Sequence, residues 1–255
     1  MESIIIKLIL NYIPRTILTT ISVIVKPYVR LYLKGDEYTD PIDGKSFRRF
    51  IPYGYNNVRK NALSPSTYSL ERHRMLWLYL KNETNIFTKK VKLLHFAPEP
   101  AFHKVFKNSN NISYDTIDLN SPLAEIKADI CNLPLEDNTY DFILCNHVLE
   151  HVYDDLKAMS ELYRVLKKGG TGIFQIPIDL KRENTYEDNS IKSIKERNKA
   201  FGQYDHVRIY GMDYFERLNS VGFSVKKVKY ANKLSDKEIT KYCLSPNEII
   251  PVCKK

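Results

Sequence analysis

The sequence predicts an α/β fold built on a doubly wound, mostly parallel sheet. Between residues 91 and 176, short apolar segments alternate with segments whose apolar residues recur at helical spacing, as in parallel sheets with helical crossovers. Polar side chains follow the apolar segments, namely Glu99, Asp118, Asp129 and Asn146. Because ligands of such sheets bind beyond the carboxyl ends of the strands, these residues predict a ligand-binding edge.

The segments can be assigned in chain order. Five strands are predicted in the parallel part of the sheet: 91–96, 113–119, a short strand that ends before Asp129, 141–146 and 172–176. Helices are predicted over 101–106, 154–166 and 212–221, and the glycines of Lys167-Lys168-Gly169-Gly170 are expected to end the second helix. Strand-like segments at 222–230 and 247–255 complete a seven-stranded sheet with one antiparallel strand.

The composition is that of a globular protein. The 255 residues suit one sizeable domain, or one domain with an appendage, and 43% of them are hydrophobic. The formal net charge of +9 favours an acidic partner such as nucleic acid, anionic lipid or a phosphorylated substrate, or else reflects only a solvated surface. The 4 cysteines form no Cys-x-x-Cys pair, which favours a reduced, cytoplasmic protein.

Residues 1–35 are expected to form a basic amphipathic helical segment. From residue 3 to residue 35 the chain has no acid and five basic residues: Lys7, Arg15, Lys26, Arg30 and Lys34. The longest charge-free run, between Arg15 and Lys26, has about half the length that a membrane-spanning helix needs. One hypothesis is peripheral contact of residues 3–35 with the inner face of the membrane. The alternative is that these helices pack on the main domain or on a second subunit.

Residues 36–84 contain the frame of a two-knuckle zinc ribbon. The four positions that would bind the metal are occupied by Asp40, Asp43, Ser64 and Thr67, in two X-Pro-x-x repeats. Structural zinc takes thiolate or imidazole ligands, so we expect a degenerate module without metal. Packing of aromatic residues would then stabilise it, from Phe47, Phe50, Tyr53 and Tyr55. An ordinary loop-rich subdomain with coincidental spacing is the alternative.

The turn after the first strand and the acid after the second indicate the ligand. An acid at the position of Asp118 commonly accepts hydrogen bonds from both ribose hydroxyls. The turn reads Ala97-Pro98-Glu99-Pro100-Ala101 instead of Gly-x-Gly-x-x-Gly, so it lacks the glycines that admit a pyrophosphate. A ligand with ribose and without phosphate fits better, and S-adenosylmethionine (SAM) is such a ligand.

Residues 128–170 closely resemble class I SAM-dependent methyltransferases of the type 11 group. The Leu-His-Phe-Ala-Pro-Glu-Pro turn, the ribbon-like frame and residues 201–211 are similar to a less characterised bacterial subgroup, whose frame carries Cys-Pro-x-Cys pairs that this chain lacks. The resemblance extends from about Tyr38 to the C-terminus. It implies a Rossmann-like methyltransferase domain over 85–255, with a cap insertion at about 179–210.

The resemblance also implies roles for individual residues. The turn from His95 to Glu99 should curl around the methionine part of SAM, with Glu99 at the amino group. Asp118 should bind the ribose, Asp129 and Ile130 should flank the adenine, and Asn146 and His147 should lie beneath the sulfonium. The implied cofactor set is His95, Phe96, Ala97, Glu99, Asp118, Leu119, Asp129, Ile130, Asn146 and His147. The expected product is S-adenosylhomocysteine, and no metal is expected.

The acceptor side is expected in the cap and on the turn that follows Asn146. A general base could come from His151, one helical turn after His147, or from Asp205 or His206. Arg208 is expected to bind an anionic group of the acceptor, beside Tyr186 and Tyr210. The alternative is a structural ion pair of Asp205 with Arg208 that anchors the cap.

These features predict a SAM-dependent methyltransferase (EC 2.1.1.-) that acts on an O or N atom of a small-molecule or glycan acceptor. The alternative is a non-catalytic SAM-binding or scaffold protein, and protein methylation also stays open. Nucleic-acid methylation is disfavoured, because the sequence at Asn146 lacks the Asp/Asn-Pro-Pro-aromatic signature of enzymes that methylate base amino groups. The patterns do not predict an oligomeric state.

Overall fold

The computed structural model describes residues 25–54 and 58–255. The chain forms two compact units, of which the first comprises Met1–Trp77 with Leu234–Ser245 and the second Leu78–Lys233 with Pro246–Lys255. Residues 25–32 are helical, whereas the rest of the predicted N-terminal helices and Tyr55 lie outside the described residues. No helix of the described segments is long and apolar enough to cross a bilayer.

The elements follow each other in this order. The strands are β1 (Lys34–Thr39), β2 (Ser46–Phe47), β3 (Ile51–Tyr53), β4 (Arg59–Leu63), β5 (Val91–Phe96), β6 (Ile112–Ile117), β7 (Tyr140–Cys145), β8 (Leu166–Ile173), β9 (Tyr186–Glu187), β10 (Arg208–Ile209), β11 (Ser224–Val228) and β12 (Ile250–Lys254). The helices are α1 (Glu71–Glu83), α2 (Pro100–Lys107), α3 (Asp155–Val165), α4 (Ile194–Phe201), α5 (Tyr214–Ser220) and α6 (Asp236–Lys241), with 3-10 turns at Leu149–His151 and Tyr230–Lys233.

The second unit is built on a six-stranded sheet of order β11-β12-β8-β7-β5-β6. Strands β6, β5, β7 and β8 pair in parallel, and β12 is antiparallel to both β8 and β11, as predicted. The prediction of seven strands was wrong, because the segment before Asp129 makes only one bridge, from Ile117 to Ile126. There the Thr116 hydroxyl donates to Leu123 O and accepts from Glu125 N, so a side chain takes the place of backbone hydrogen bonds between strands.

Helix α3 has the predicted bounds to within one residue, but the glycines do not end it. It stops at Val165, and the two glycines expected to end it lie inside β8. The pairing of β7 with β8 shifts register between Tyr140–Leu166 and Phe142–Thr171, which leaves 167–170 as a bulge. Gly169 has a φ of 77°, a left-handed value that glycine adopts without strain, so the glycines shape the strand and not a helix end.

The core of the second unit lies under the sheet and joins strands to helices. Fully buried side chains of β7 and α3 belong to one cluster, among them Ile143, Leu162 and Val165. Each such side chain contributes on the order of 1.5–3 kcal/mol to folding through its burial. This packing places the carboxyl ends of β5 and β7 side by side, since both strands also pair directly.

The first unit contains both knuckles of the predicted frame. In the first knuckle Asp40 N donates to Lys45 O (2.9 Å) and Gly44 N donates to Asp40 O (2.8 Å). The second repeats the pattern, since Ser64 N donates to Ser69 O (2.9 Å) and Tyr68 N donates to Ser64 O (3.1 Å). Gly44 and Tyr68 have φ values of 71° and 61°, so both turns close through a left-handed residue.

Hydrogen bonds join the two knuckles in the region where a ribbon would bind metal. The buried Asp40 carboxylate accepts hydrogen bonds through Oδ2 from the hydroxyls of Thr67 and Ser69, the latter at 3.0 Å. Asp43 Oδ1 accepts from Ser66 Oγ at 3.1 Å. We had expected aromatic packing alone. Phe47 and Phe50 are indeed buried in one apolar cluster, whereas Tyr53 is exposed.

Candidate active site

The carboxyl ends of β5 and β7 are connected by side-chain hydrogen bonds. The fully buried His95 contacts Glu99 Oε2 through Nε2, and its Nδ1 lies 2.8 Å from the Tyr114 hydroxyl. The other oxygen of Glu99 accepts a hydrogen bond from Asn146 Nδ2 at 3.2 Å. Three of the residues predicted to bind the methionine part and the sulfonium therefore form one network.

Two residues of this edge adopt left-handed backbone conformations. Ala97 has a φ of 45° and His147 a φ of 54°, values that cost a non-glycine residue energy. Ala97 N is held by Ile117 O (3.0 Å) and His147 N by Gln175 O (2.7 Å). Strained residues cluster at binding sites, where the surrounding structure holds them, and both lie where the ligand is predicted.

The predicted ribose position lies after β6. Asp118 Oδ1 accepts hydrogen bonds from the backbone N of Asn120 (2.7 Å) and of Ser121 (2.5 Å), which orients the carboxylate. Leu119, predicted beside it, is 60% exposed. An oriented acid next to an exposed apolar side chain suits a nucleoside, whose ribose needs acceptors and whose base needs apolar surface.

The other predicted cofactor residues divide into polar and core positions. Asp129 Oδ1 accepts from Cys131 N at 2.9 Å, so a local turn fixes this acid as well. The side chains of Phe96 and Ile130 are buried in the core cluster of the second unit. These two residues could therefore contribute to SAM binding through their backbone atoms, or by shaping the core beneath the ligand.

Three histidines surround a buried carboxylate directly after β7. Glu150 is 1% exposed, and its Oε1 lies 3.2 Å from His147 Nδ1. The ring centroids of His151 and His206 are 4.8 Å apart, in an edge-to-face arrangement. We did not predict a role for Glu150. The only signal in the sequence was an acid next to a candidate histidine in an otherwise apolar segment.

The environment of this cluster shifts two protonation equilibria. Burial acts to raise the pKa of Glu150, but the His147 contact and the charges of His147 and His151 outweigh it and leave the pKa below its usual value. Burial lowers the pKa of His206. At neutral pH the cluster therefore contains a carboxylate and at least one neutral imidazole, a combination that can accept a proton.

Arg208 is not available to an acceptor. Its side chain is 2% exposed and donates to the carbonyl oxygens of Leu149 (3.1 Å) and Tyr153 (2.8 Å). Its nearest acid is Glu187, 2.8 Å from Nη2, whereas Asp205 faces His151. The predicted acceptor role is therefore wrong for this geometry, and so is the alternative pair with Asp205. Arg208 is a structural anchor that uses other partners.

The two predicted acceptor tyrosines differ. Tyr210 is fully buried and donates from its hydroxyl to Asp155 Oδ2 at 2.7 Å, so its prediction fails for the same reason as that of Arg208. Tyr186 lies on β9, is 37% exposed and packs its ring 5.7 Å from that of Phe201. Of the predicted acceptor residues, Tyr186 thus stays accessible.

Comparison with known proteins shows what this part of the chain resembles. Residues 95–174 match the type 11 family model, described as a methyltransferase domain. This part of the chain is similar to methyltransferase domains of that family. An uncharacterized protein of Methanocaldococcus jannaschii is 46% identical over 76 residues, which are 28% of this chain and 33% of that protein. The malonyl-[acyl-carrier protein] O-methyltransferase of Nitrosospira multiformis is 25% identical over 129 residues, 51% of this chain and 37% of that enzyme.

A solved structure with a similar fold is the S-adenosylmethionine-dependent methyltransferase of Mesorhizobium loti. It has a TM-score of 0.49 and 15% identity, and the alignment covers 71% of this chain and 98% of the other. The matches to the two curated relatives span about a third of their lengths.

The match separates two parts of the site. The methyltransferase domain match includes all predicted cofactor residues and ends at residue 174, before the cap. His151 and Glu150 belong to the matched part, whereas Asp205, His206 and Tyr186 lie beyond it. The predicted acceptor side therefore lies largely outside the residues that the family model matches.

Proposed function

We propose that the protein is an enzyme that moves a methyl group from SAM to an O or N atom of a small-molecule or glycan acceptor. The network of His95, Glu99 and Asn146 carries the proposal, since it joins two adjacent strand ends at the edge where such sheets bind ligands. The name of the Nitrosospira relative, an O-methyltransferase of a carrier-bound malonyl group, supports a small acceptor.

The side chains at the predicted cofactor site fit SAM. Bound SAM supplies a methyl group that is already activated by the sulfonium. Glu99 presents a carboxylate to the amino group, and Asp118 presents one to the ribose, each held by hydrogen bonds within the protein. The strained backbone at Ala97 and His147 shapes the edge between them. Charge and hydrogen-bonding capacity thus match both polar ends of the molecule.

The residues of the chain contribute mainly alignment. The acceptor atom must stand in line with the methyl carbon and the sulfur, and positioning of this kind supplies much of the acceleration. A hydroxyl or ammonium acceptor must also lose a proton. The histidine cluster at Glu150 lies directly after β7 and offers neutral imidazole nitrogen for this step.

Calorimetric titration with SAM tests cofactor binding. We expect micromolar binding by the wild-type chain and loss of at least 100-fold in affinity for Asp118→Ala, because the ribose hydroxyls lose their acceptor. Asp36→Ala, which removes an exposed carboxylate on β1, is the matched control and should bind as the wild type does. Equal affinities of the three proteins would remove Asp118 from the site.

A labelled-methyl assay then separates an enzyme from a silent SAM-binding protein. The protein is incubated with methyl-labelled SAM and a small-molecule extract, and with the macromolecular fraction in parallel. Label in the small-molecule or glycan fraction supports the proposal. Binding without transfer to any fraction would favour the non-catalytic alternative, and label in protein would redirect the search for the acceptor.

A further inference from the structure

We propose that Glu150, His151 and His206 bind a divalent transition-metal ion. Each of the three offers one ligand atom, and these atoms all lie within 4.8 Å of one another. The set comes from two separate segments, the 3-10 turn Leu149–His151 and the residues before β10. Two imidazoles and one carboxylate form a common set for a metal site with an open position.

The Glu150 carboxylate is in ion-pair contact with His147 but accepts no hydrogen bond within the described part of the chain. It is 1% exposed, and neither of its oxygens accepts a hydrogen bond from residues 25–54 or 58–255. His147 Nδ1 approaches Oε1 to 3.2 Å without hydrogen-bonding geometry. A buried carboxylate without hydrogen bonds is costly, and a coordinated cation is one of the few partners that offsets this cost.

The tautomer of His151 leaves a ligand atom free. Its Nδ1 lies 3.1 Å from the backbone oxygen of Asp205, and a carbonyl oxygen can only accept a hydrogen bond. Nδ1 therefore carries the proton, and Nε2 keeps its lone pair. Metal-binding histidines generally donate their other ring N–H to a carbonyl or a carboxylate in this way.

The two segments that carry the ligands are fixed to each other. Val207 N donates to Glu150 O at 3.0 Å, and the buried Arg208 donates to Leu149 O at 3.1 Å. Metal–ligand bonds of about 2.1 Å require the three ligand atoms to move closer together by about 1 Å, a shift that side-chain rotation on these turns supplies. Arg208 would thus be a positioning residue of the metal site, since it holds the turn that carries Glu150 and His151.

The ion would bind the acceptor. Three protein ligands leave a coordination position for an acceptor hydroxyl, whose pKa the ion lowers. With the ion bound, the ligating nitrogens of His151 and His206 no longer accept a proton, so the hydroxyl proton passes to water. The oxygen forms a bond to the methyl carbon, and the carbon–sulfur bond breaks with its electron pair staying on sulfur. This role rests on the proposed function, whereas binding of the ion does not.

Cobalt provides a direct test. The full chain is freed of metal with a chelator and titrated with Co²⁺, which shows visible d–d absorption when imidazole coordinates it. We expect one equivalent to bind to the wild type and at least a tenfold weaker affinity for Glu150→Gln and for His206→Ala. Glu136→Gln and His103→Ala are matched controls at residues outside the cluster and should bind as the wild type does.

Competition identifies the class of ion. Zn²⁺ should displace Co²⁺ at equimolar concentration, and Mg²⁺ should not do so at a hundredfold excess, because imidazole favours the transition metals. Displacement by Mg²⁺ as readily as by Zn²⁺ would overturn the assignment. So would equal Co²⁺ affinities of the wild type and both cluster variants.

Two further measurements keep the test independent of folding and of catalysis. Calorimetric titration of the same variants with SAM should show wild-type affinity, so that loss of metal binding without loss of SAM binding supports the site. In the wild type, Zn²⁺ should protect His151 from diethyl pyrocarbonate and leave the reaction of His103 unchanged, as mass spectrometry would show. Lack of protection of His151 would refute the proposal even if both variants misfold.

Discussion

At the scale of single residues, burial and hydrogen-bond partners decide which candidate can meet a ligand. Arg208 and Tyr186 were both predicted on the acceptor side, and their residue types suit it equally well. Arg208 is enclosed among carbonyl oxygens and Glu187, whereas Tyr186 is exposed to solvent. A guanidinium that completes its hydrogen bonds inside the protein is a structural element, whatever its position along the sequence.

Removal of the Tyr210 hydroxyl should therefore affect stability and not catalysis. The hydroxyl donates to the buried Asp155 carboxylate, which Arg217 also contacts at 3.0 Å. We expect Tyr210→Phe to lower the free energy of unfolding by about 1.5–3 kcal/mol, measured by urea denaturation. Tyr186→Phe, at an exposed position, should change it by less than about 0.5 kcal/mol. A Tyr210→Phe enzyme of normal stability with a raised KM for the acceptor would restore the acceptor role.

His206 should act in turnover and not in cofactor binding. Its imidazole belongs to the cluster around Glu150, apart from the network of Glu99 and Asn146. We expect His206→Ala to reduce kcat about 10²–10⁴-fold once an acceptor is known, while the affinity for SAM stays within twofold of the wild type. His103→Ala serves as the control on α2. Full turnover of His206→Ala would exclude this residue from the chemistry.

At the scale of elements, polar side chains join the two knuckles at the place where a zinc ribbon would bind metal. The two turns keep the same backbone hydrogen bonds, and carboxylates and hydroxyls occupy the space between them. Arg74 adds to this arrangement, since it donates to Ser69 O (2.7 Å) and to Cys243 O (2.6 Å) and so connects two segments of the first unit.

Asp40→Ala should loosen both knuckles together. The change removes the acceptor for Ile42 N and for the hydroxyls of Thr67 and Ser69 at a fully buried position. We expect a loss of roughly 3 kcal/mol, seen as faster hydrogen–deuterium exchange over residues 40–47 and 64–69. Asp36→Ala should leave exchange there unchanged. Increased exchange confined to the first knuckle would show that the bonds between the knuckles contribute little.

The same frame should accept zinc when its ligands are supplied. We expect the combined Asp40→Cys, Asp43→Cys, Ser64→Cys and Thr67→Cys variant to bind one Zn²⁺ and to be stabilised by it, as measured by metal analysis and thermal unfolding. A variant with only Asp40→Cys and Asp43→Cys should bind zinc far more weakly. Equal zinc binding by the two variants would mean that the knuckles do not converge on one site.

At the scale of the whole molecule, local patterns predicted the strands well and the tertiary details poorly. The strand 91–96 has the predicted bounds, because a short apolar run between polar residues has few alternatives. The predicted strand before Asp129 does not form, because the Thr116 hydroxyl makes hydrogen bonds to the backbone of this segment. The polar strand ends marked the candidate site, but Glu150 was missed because its contacts with His206 and Val207 come from a segment distant in sequence.

The net charge of +9 predicts a further property of the full chain, namely binding to anionic membranes through residues 3–35. Full-length protein should co-sediment with vesicles that contain 30% phosphatidylserine and not with pure phosphatidylcholine vesicles, since each basic residue near an anionic surface contributes about 1 kcal/mol. Binding should weaken as salt rises from about 0.1 M to 0.5 M, because the Debye length falls.

Lys7→Gln combined with Arg15→Gln should reduce pelleting. Lys226→Gln combined with Lys227→Gln on β11 removes the same charge from the other unit and should not reduce it. Equal pelleting of both double variants would assign the attraction to the overall charge, and no pelleting of the wild type would leave packing on protein as the role of this segment.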